Sequence, residues 1–472
     1  VYGLDAEMSF SVERNPSTNA VTKAHLFFGQ RRGGNKLFAV DVTNAVSNGT
    51  PVSKLWTIEG GSGDFDRLGQ TWSEPVVAKI NYCGADSCDL KDVIIFSGGY
   101  DEAYDDPDIK ATDHSGSVLG NAIYIVDAAN GDLLWMAGSS VEDTNRDLVI
   151  PEMTHSIPSK PTALDVTKDG AVDILFFTDI TGQVFRIDFK ASPTGDNSIS
   201  SSNNDGKVAG GMIADLSQAG ADRRFFNPVD VTLLPRDTNG APARYALVTG
   251  SGYRAKPLEA ESFGNRLYVM YDQNIFEPLY DEDLDPSLDG DTNQEAVYKY
   301  AKNAVGQPSV IDMDVSQADL GEVNSSTPLD ITGAHEYGFY ANVTETAEKL
   351  ITPTLISDFR AIAVSYVPAD RSNPGGNGSQ SGTCSAGVGT SNAYEFNLLT
   401  GELEKTELVK PGLTAEPVVI YVLETDPDTG EESLKPIGII GTEPFEGEEF
   451  DLTNLKLGKA EKRAWWERGR SN

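Results

Sequence analysis

A short unit recurs along this chain and constrains its fold more than any other feature. In each copy, a run of β-branched and aromatic residues ends in a glycine-containing turn, and a second such run ends in Asp or Asn. Residues 23–29, for example, lead through the turn at 31–34 into residues 36–41. Runs of this composition, bounded by turn-forming residues, are typical of short antiparallel β-strands.

The unit can be followed through most of the sequence. Further copies pair residues 93–99 with 122–127, 174–177 with 183–188, 244–250 with 265–270, and 360–366 with 392–397, with a last run at 436–441. Sheets this small cannot bury their own faces, so neighbouring sheets must stack. We therefore predict an all-β fold, a β-propeller that occupies residues 1–472 as a single domain. A pair of β-sandwiches is the alternative architecture.

Long polar insertions separate some of the predicted strands, which explains why the spacing of the repeats is irregular. They lie at residues 101–120, 191–211, 277–295 and 368–389. Their Ser, Gly, Asn and Asp content is typical of loops.

Residues 165–173 have the spacing of a calcium-binding loop. Oxygen-bearing side chains occupy the first, third, fifth and ninth positions, and Gly170 at the sixth lets the backbone turn sharply. Ca²⁺ takes six to eight oxygen ligands, which alternate residues of a wound loop direct at one centre. The expected ligands are Asp165, Thr167, Asp169, the carbonyl of Ala171, and Asp173.

The loop departs from an EF-hand in two ways. Phe176 stands at the twelfth position, where an EF-hand has a bidentate glutamate. The flanking residues 160–164 and 174–177 have the composition of strands and not of helices. The sequence therefore predicts a strand–calcium loop–strand unit with Val172 facing the interior. A hairpin turn that binds no metal is the alternative.

A second acidic segment repeats the odd-position spacing with Asp281, Asp283, Asp285 and Asp289. Pro286 replaces the glycine there, which disfavours the sharp turn that an ion requires. We interpret this segment as a solvated acidic loop, with a second calcium site as the alternative.

The charge balance excludes some classes of partner. Asp and Glu number 72 against 37 Lys and Arg, for a net charge of −35. Nucleic acid and anionic membranes both require a basic face, so neither is expected as the main partner. The sequence contains no run of eighteen apolar residues, so we predict no membrane span. Val1 begins no signal peptide, and we interpret the chain as a piece of a longer protein.

Three cysteines are present. Cys83 and Cys88 are close enough to form a disulfide across a turn, which would indicate an oxidising compartment; two reduced loop thiols are the alternative. Cys384 has no obvious partner. Too few thiolate or imidazole ligands are clustered for a zinc site.

The order of these motifs resembles the C-terminal domain of the PilC/PilY family of type IV pilus biogenesis and tip-adhesin proteins. The stretches that carry the resemblance are residues 29–43, 68–75, 96–101, 165–173, 182–188, 249–254 and 393–401. The resemblance implies a modified seven-bladed propeller that is exported to the periplasm, outer membrane, cell surface or pilus tip of a Gram-negative bacterium. It implies pilin and minor pilins as partners.

The resemblance also implies that calcium at this loop regulates pilus extension versus retraction and so supports twitching motility and adhesion. Thr167 departs from the family pattern, in which Asp or Asn is more common, and one such ligand fewer is expected to weaken calcium binding. The adhesive N-terminal half of the family is absent here, so any host or surface ligand is assigned to that half. The resemblance makes the basic, tryptophan-containing residues 459–468 a closing strand; a partner-binding strand is the alternative.

We predict that the chain is not an enzyme. Its four histidines are scattered, with no His-Glu-x-x-His pair, and no Gly-x-Ser-x-Gly nucleophile motif is present. Residues 126–135 also resemble a repeat of quinoprotein dehydrogenases, so a PQQ-dependent propeller is one alternative function. A carbohydrate-binding propeller, with Tyr100, Tyr104 or Tyr253 stacking on sugars, is another.

Overall fold

The structure, a computed structural model, describes residues 3–49, 51–83, 88–114, 118–139, 147–189, 198–200, 208–218, 221–235, 243–259, 263–272, 315–316, 320–322, 337–343, 345–357, 359–369, 388–409, 412–413, 415–425, 432–440 and 443–444. The chain divides into two compact units. Unit 1 is Val1–Pro228 with Phe276–Gln317, and unit 2 is Val229–Ile275 with Ala318–Asn472. The single domain expected from the sequence stays a prediction.

The described residues are almost entirely β-structure. In chain order the strands are β1 (Met8–Arg14), β2 (Val21–Phe28), β3 (Lys36–Asp41), β4 (Ser53–Glu59), β5 (Val76–Cys83), β6 (Cys88–Ser97), β7 (Ala122–Asp127), β8 (Leu133–Gly138), β9 (Leu148–Val149), β10 (Thr162–Leu164), β11 (Ile174–Thr178), β12 (Gln183–Asp188), β13 (Ser198–Ser200), β14 (Ala209–Asp215), β15 (Asp230–Leu234), β16 (Arg244–Gly250), β17 (Arg266–Asp272), β18 (Val315–Ser316), β19 (Gly321–Glu322), β20 (Gly338–Asn342), β21 (Lys349–Leu350), β22 (Leu355–Ser357), β23 (Arg360–Val367), β24 (Thr390–Asn397), β25 (Leu403–Glu407), β26 (Pro417–Thr425), β27 (Glu432–Ile440) and β28 (Glu443–Pro444).

Helical structure is limited to short segments. Within the described ranges the single α-helix is α1, Thr43–Asn48. Turns of 3₁₀ helix lie at Arg31–Gly33, Gly63–Phe65, Glu102–Asp105 and Ala111–Asp113. The all-β class predicted from the repeated unit is therefore confirmed.

The described strands of unit 1 form three sheets. Their strand orders are β1-β2-β3-β4, then β13-β5-β6-β7-β8-β9, then β10-β11-β12-β14-β18. Consecutive long strands pair antiparallel, as hairpin connections require. The short strands β9, β13 and β18 pair in parallel with β8, β5 and β14.

The middle sheet of unit 1 is buried on both faces. On β7, Ile123 and Ile125 belong to a core shared with β11 and β12, whereas Tyr124 and Val126 belong to a core shared with β2, β3 and β4. Alternate side chains of a strand point to opposite faces, so one strand contributes to both cores. This explains why the strand is an uninterrupted apolar run without the polar alternation of a solvent-facing sheet.

Unit 2 repeats this arrangement in its described part. Its sheets have the orders β15-β16-β17-β20-β19, then β21-β23-β24-β25 with β22 also on β23, then β26-β27-β28. Ala361 and Phe396 of the middle sheet pack with Val248 and Val269 of the first, while Ile362 and Ala393 pack in a separate cluster. The stacking of small sheets that the sequence predicted is thus present in each unit.

Two further features bear on the sequence predictions. Cys83 is disulfide-bonded, and Cys88 is its Cα partner across the β5–β6 pair, as a bridge between the two requires. Among the described residues, no helix is both long and apolar enough to span a bilayer.

Candidate calcium loop

The predicted strand–loop–strand unit is formed by β10 and β11. They pair antiparallel with Thr162 opposite Phe176 and Leu164 opposite Ile174, and residues 165–173 connect them. Lys168 and Gly170 have φ angles of 62° and 98°. The second value lies in a region that glycine adopts without strain, which is the role the sequence assigned to Gly170.

The loop is wound by hydrogen bonds from its own backbone to its aspartates. The two carboxylate oxygens of Asp165 accept from the amides of Asp169 at 3.1 Å and Gly170 at 2.9 Å. Oδ1 of Asp169 accepts from the Ala171 amide at 2.8 Å. These bonds tie the two carboxylates to the backbone of the turn.

Asp173 and Thr167 form a close pair across the loop. Oδ2 of Asp173 accepts from the backbone N–H of Thr167 at 2.8 Å and from its hydroxyl at 3.0 Å. Thr167 is exposed, whereas Asp173 is completely buried. The structure therefore shows the threonine as the group that orients the Asp173 carboxylate.

The electrostatics of the loop disfavour an ionised Asp173. Burial raises the pKa of Asp173, the hydrogen bonds from Thr167 oppose that rise, and the neighbouring Asp169 and Asp165 add to it. By repulsion, Asp169 and Asp165 thus both disfavour the ionised form of Asp173. A bound cation would relieve this repulsion, since an opposite charge favours the ionised form.

The far end of the loop is anchored in the core. Ala171 and Val172 are buried, and Val172 belongs to the core between the second and third sheets. Its amide donates to the carbonyl of Lys79 on β5 at 2.8 Å. The carbonyl of Asp173 accepts from the Phe189 amide at 2.8 Å. The loop is therefore tied to two sheets.

The sequence did not indicate these two anchors. Lys79 and Phe189 take part through backbone atoms, and a backbone contact leaves no signature in residue type. The predicted orientation of Val172 toward the interior, by contrast, followed from its apolar side chain and is confirmed.

The donor set of the loop suits a hard cation. Carboxylate, hydroxyl and carbonyl oxygens are the groups that Ca²⁺ prefers, and the loop supplies all three kinds. Across the described ranges, however, no three acidic, histidine or cysteine side chains are arranged as a finished metal site. The oxygen donors and the tightly wound backbone of the loop suit calcium. The carboxylates of Asp165 and Asp169 accept hydrogen bonds from backbone amides.

A second polar cluster lies in unit 1, where the insertion at 101–120 meets His155 and Arg224. Buried Tyr104 contacts the ring of His114 edge-on, with centroids 4.7 Å apart, and its hydroxyl is 3.4 Å from Nδ1 of His155. His114 lies 3.2 Å from Asp101, and Arg224 donates to the carbonyl of Tyr104 at 2.6 Å. Two histidines that are scattered in sequence are thus brought together, and we call this group the tyrosine–histidine cluster.

The aromatic residues considered for sugar binding are not available at the surface. Tyr100 and Tyr104 are completely buried and Tyr253 is 7% exposed. Stacking on a sugar requires an accessible ring face, so this assignment of the three tyrosines was wrong. The sequence placed them on polar insertions, but Tyr100 packs against Trp72 and Phe226, and Tyr104 packs against His114.

Some sequence predictions fall outside the described residues. They are the second acidic segment with Asp281, Asp283, Asp285 and Asp289, the cysteine Cys384, and the tail at 459–468.

The chain is similar to a solved structure over most of its length. The crystal structure of the Pseudomonas aeruginosa PilY1 C-terminal domain matches 93% of this chain and 82% of its own, with a TM-score of 0.53 and 15% identity. The chain shares the fold of the PilY1 C-terminal domain. The resemblance drawn from the motifs is confirmed at the level of the fold, and with it the β-propeller class. The number of seven blades stays a prediction.

Other comparisons add little. The WD40 domain of SCAP from fission yeast covers 92% of this chain and 84% of its own at 9% identity, but its TM-score of 0.27 is too low to support an inference. No protein-family model matches the chain, and no curated protein matches it.

Proposed function

We propose that this chain is a calcium-binding, non-catalytic propeller module of a type IV pilus biogenesis protein. The observation that carries the proposal is the loop at 165–173, which connects two strands of a PilY1-like fold and bonds its acidic side chains to its own backbone amides. We further propose that the module is exported, contacts pilin or minor pilins, and regulates pilus extension against retraction in twitching motility and adhesion.

The residues that would hold the ion are those the sequence singled out. Three carboxylates would neutralise the cation, and a hydroxyl and a carbonyl would complete the oxygen shell. The ligands are Asp165, Thr167, Asp169, the carbonyl of Ala171, and Asp173. A carboxylate has about four lone-pair sites, so a hydrogen bond from the backbone does not exhaust its capacity to bind a cation.

The role of calcium would be a local switch. When bound, it neutralises carboxylates that otherwise repel one another at the buried end of the loop. Because Val172 and Asp173 are tied to Lys79 and Phe189, ordering of the loop would reach the two sheets that it contacts. Thr167 would hold the Asp173 carboxylate in place.

Isothermal titration with calcium tests the site. We expect Asp173→Asn to weaken binding by at least about tenfold, because it removes a charged ligand and keeps the side-chain shape. Asp132→Asn is the matched control, since Asp132 is exposed on the β7–β8 hairpin and bonds to Asn130. Equal calcium affinity in the Asp173 variant and the wild type would refute the ligand assignment.

The biological role needs a separate test. We expect the wild-type module to retain pilin or a minor pilin in a pull-down with calcium and to lose it with a chelator. If the chelator does not reduce the amount of pilin or minor pilin retained, the calcium site is not refuted, but calcium does not act as a switch for this interaction.

A further inference from the structure

A lysine, a glutamate and an asparagine meet in unit 2. Glu348 directly precedes β21, Asn392 lies on β24, and Lys405 lies on β25, which pairs antiparallel with β24. Oε1 of Glu348 accepts from Nδ2 of Asn392 at 2.8 Å, and its Oε2 lies 3.8 Å from Nζ of Lys405. One carboxylate therefore bridges an amine and a carboxamide. We call these three residues the lysine–glutamate–asparagine triad.

The register of the two strands places Asn392 and Lys405 within reach of each other. Lys405 is directly opposite Tyr394, and Asn392 precedes Tyr394 by two residues, so all three side chains lie on one face of the sheet. Diagonal neighbours of this kind have Cβ atoms about 7–8 Å apart or less, which a long side chain can span. Nζ of Lys405 lies over the ring of Tyr394, 5.5 Å from its centroid.

The bridging carboxylate is buried and held from several sides. Glu348 is 1% exposed and Asn392 is 4% exposed. Oε1 of Glu348 also accepts from the hydroxyls of Ser365 and Tyr394, and Oε2 accepts from the amide of Glu345. These bonds orient one oxygen toward the carboxamide and the other toward the amine. Such a fixed arrangement suits proton transfer between two reacting groups.

We propose that this triad forms an isopeptide bond between Nζ of Lys405 and Cγ of Asn392. Oε2 of Glu348 takes a proton from the ammonium, and the lone pair of the amine attacks Cγ. The carboxyl group then gives its proton to Nδ2 through Oε1 and takes a second proton from the attacking nitrogen. The Cγ–Nδ2 bond breaks, and ammonia leaves with that second proton as ammonium. Atoms, charge and electrons balance without a further reactant, and Glu348 is ionised again.

The bond would fasten β25 to its sheet. In the order β21-β23-β24-β25, this strand is the last, and three of its five residues are exposed. Hydrogen bonds to β24 therefore hold it with little help from burial, and such elements open most readily. A covalent link between β24 and β25 would keep the two strands together even when their hydrogen bonds open.

Mass spectrometry of the purified, folded full chain tests the bond. With the disulfide counted, we expect a mass below that of the sequence by one ammonia molecule. Cleavage after glutamates cuts the backbone between Asn392 and Lys405, at Glu395, Glu402 and Glu404. The two fragments should nevertheless remain joined. A full sequence mass with separate fragments would show an ion pair only and overturn the proposal.

A lysine variant shows which amine reacts. Lys405→Arg keeps the positive charge but supplies no amine, since a guanidinium is not deprotonated in proteins. We expect this variant to have the full sequence mass and separate fragments. Lys256→Arg is the matched control and should still lose ammonia, because Lys256 likewise lies 3.6 Å from a glutamate, Glu259, and 5.7 Å from the ring centroid of Tyr253.

Loss of ammonia that persists in Lys405→Arg would assign it to another asparagine and overturn the proposal. If Lys405→Arg does not fold, the joined or separate fragments of the wild type decide.

The role of Glu348 has its own measurement. Glu348→Gln keeps both reacting groups and removes the proton carrier, so we expect the joined fragments to form about 100-fold more slowly after refolding. Circular dichroism of the same sample shows whether the variant has refolded. An unchanged rate in the refolded variant would overturn the assignment of Glu348 as base and acid.

Discussion

At the scale of single residues, Glu348 shows how unit 2 accommodates a buried charge. Its Oε1 accepts from the side chains of Ser365 at 2.5 Å, Asn392 at 2.8 Å and Tyr394 at 2.8 Å, and its Oε2 accepts from the Glu345 amide. Burial alone would raise its pKa, but these donors together lower the pKa of Glu348 below its usual value. These four donors therefore favour the ionised form of the Glu348 carboxylate.

This pattern predicts a stability that depends on pH. Because the pKa of Glu348 is lower in the folded state, its ionised carboxylate stabilises the fold above pH 4.5, the ordinary pKa of glutamate. That contribution is lost as the pH falls through the lower pKa of the folded state. We expect Glu348→Gln to reduce the free energy of unfolding by about 1–3 kcal/mol at pH 7, with the difference shrinking below pH 4.5. Urea unfolding at both pH values measures this.

The control for that prediction is Glu345→Gln. The side chain of Glu345 is 55% exposed and pairs with Lys405, and exposed pairs of this kind contribute little. A cost for Glu348→Gln that matches this control, or one that is the same at every pH, would contradict the assigned role.

At the scale of elements, the tyrosine–histidine cluster should make the packing of residues 101–114 depend on pH. Burial lowers the pKa of His155, the nearby His114 lowers it further, and Asp215 opposes the shift. Neutral His155 therefore stabilises the fold above pH 6.5, which is the ordinary pKa of histidine. This stabilisation is lost as the pH falls through the lower pKa that His155 has in the folded state. The hydroxyl next to Nδ1 of His155 belongs to Tyr104, which the insertion supplies.

We expect the amides of residues 101–114 to lose protection from hydrogen exchange between pH 7.5 and pH 5.5, because protonation of His155 opposes its burial. His155→Gln should remove most of this pH dependence. His25→Gln, on β2, serves as the control and should retain it. A pH dependence that persists in the His155 variant would show that other groups are responsible.

The elements also show how far the sequence could predict this fold. Strands β3, β7, β12 and β16 coincide with predicted runs, because each is a continuous apolar or aromatic segment between turn formers. The short strands β13, β18 and β19 were not predicted. They pair in parallel with residues distant in sequence, and such pairing leaves no local pattern.

The candidate site was predictable to a similar extent. The positions of Asp165, Asp169 and Asp173 followed from spacing, as did the strands on either side. The pairing of Thr167 with Asp173 could not be predicted from spacing. A threonine at that position looks the same in the sequence whether its hydroxyl binds an ion or donates to a carboxylate. The tyrosine–histidine cluster is assembled from three separated segments, so spacing could not reveal it.

At the scale of the whole molecule, calcium should act on one unit. The loop and both of its anchors belong to unit 1. A ligand at one hundred times its dissociation constant stabilises the folded form by about 2.7 kcal/mol. We expect two unfolding transitions in calorimetry, of which calcium raises only one, by roughly 5–10 °C.

The Asp173→Asn variant tells the two transitions apart, because calcium should no longer shift either of them. Assignment by limited proteolysis should place the shifted transition in residues 3–228. An equal shift of both transitions would contradict the assignment of the ion to unit 1.

The hydrogen bond between Val172 and Lys79 has a mechanical consequence. It joins the loop directly to β5, beside an apolar core whose attraction is non-directional. A tensile load that separated them by about 1 Å would break this bond, while the apolar surfaces could still slide in contact. On the proposed function, a module pulled by a retracting filament would therefore loosen its candidate calcium loop first. Tension would then release the ion that we propose to bind there, and the loop would respond to force as well as to calcium concentration.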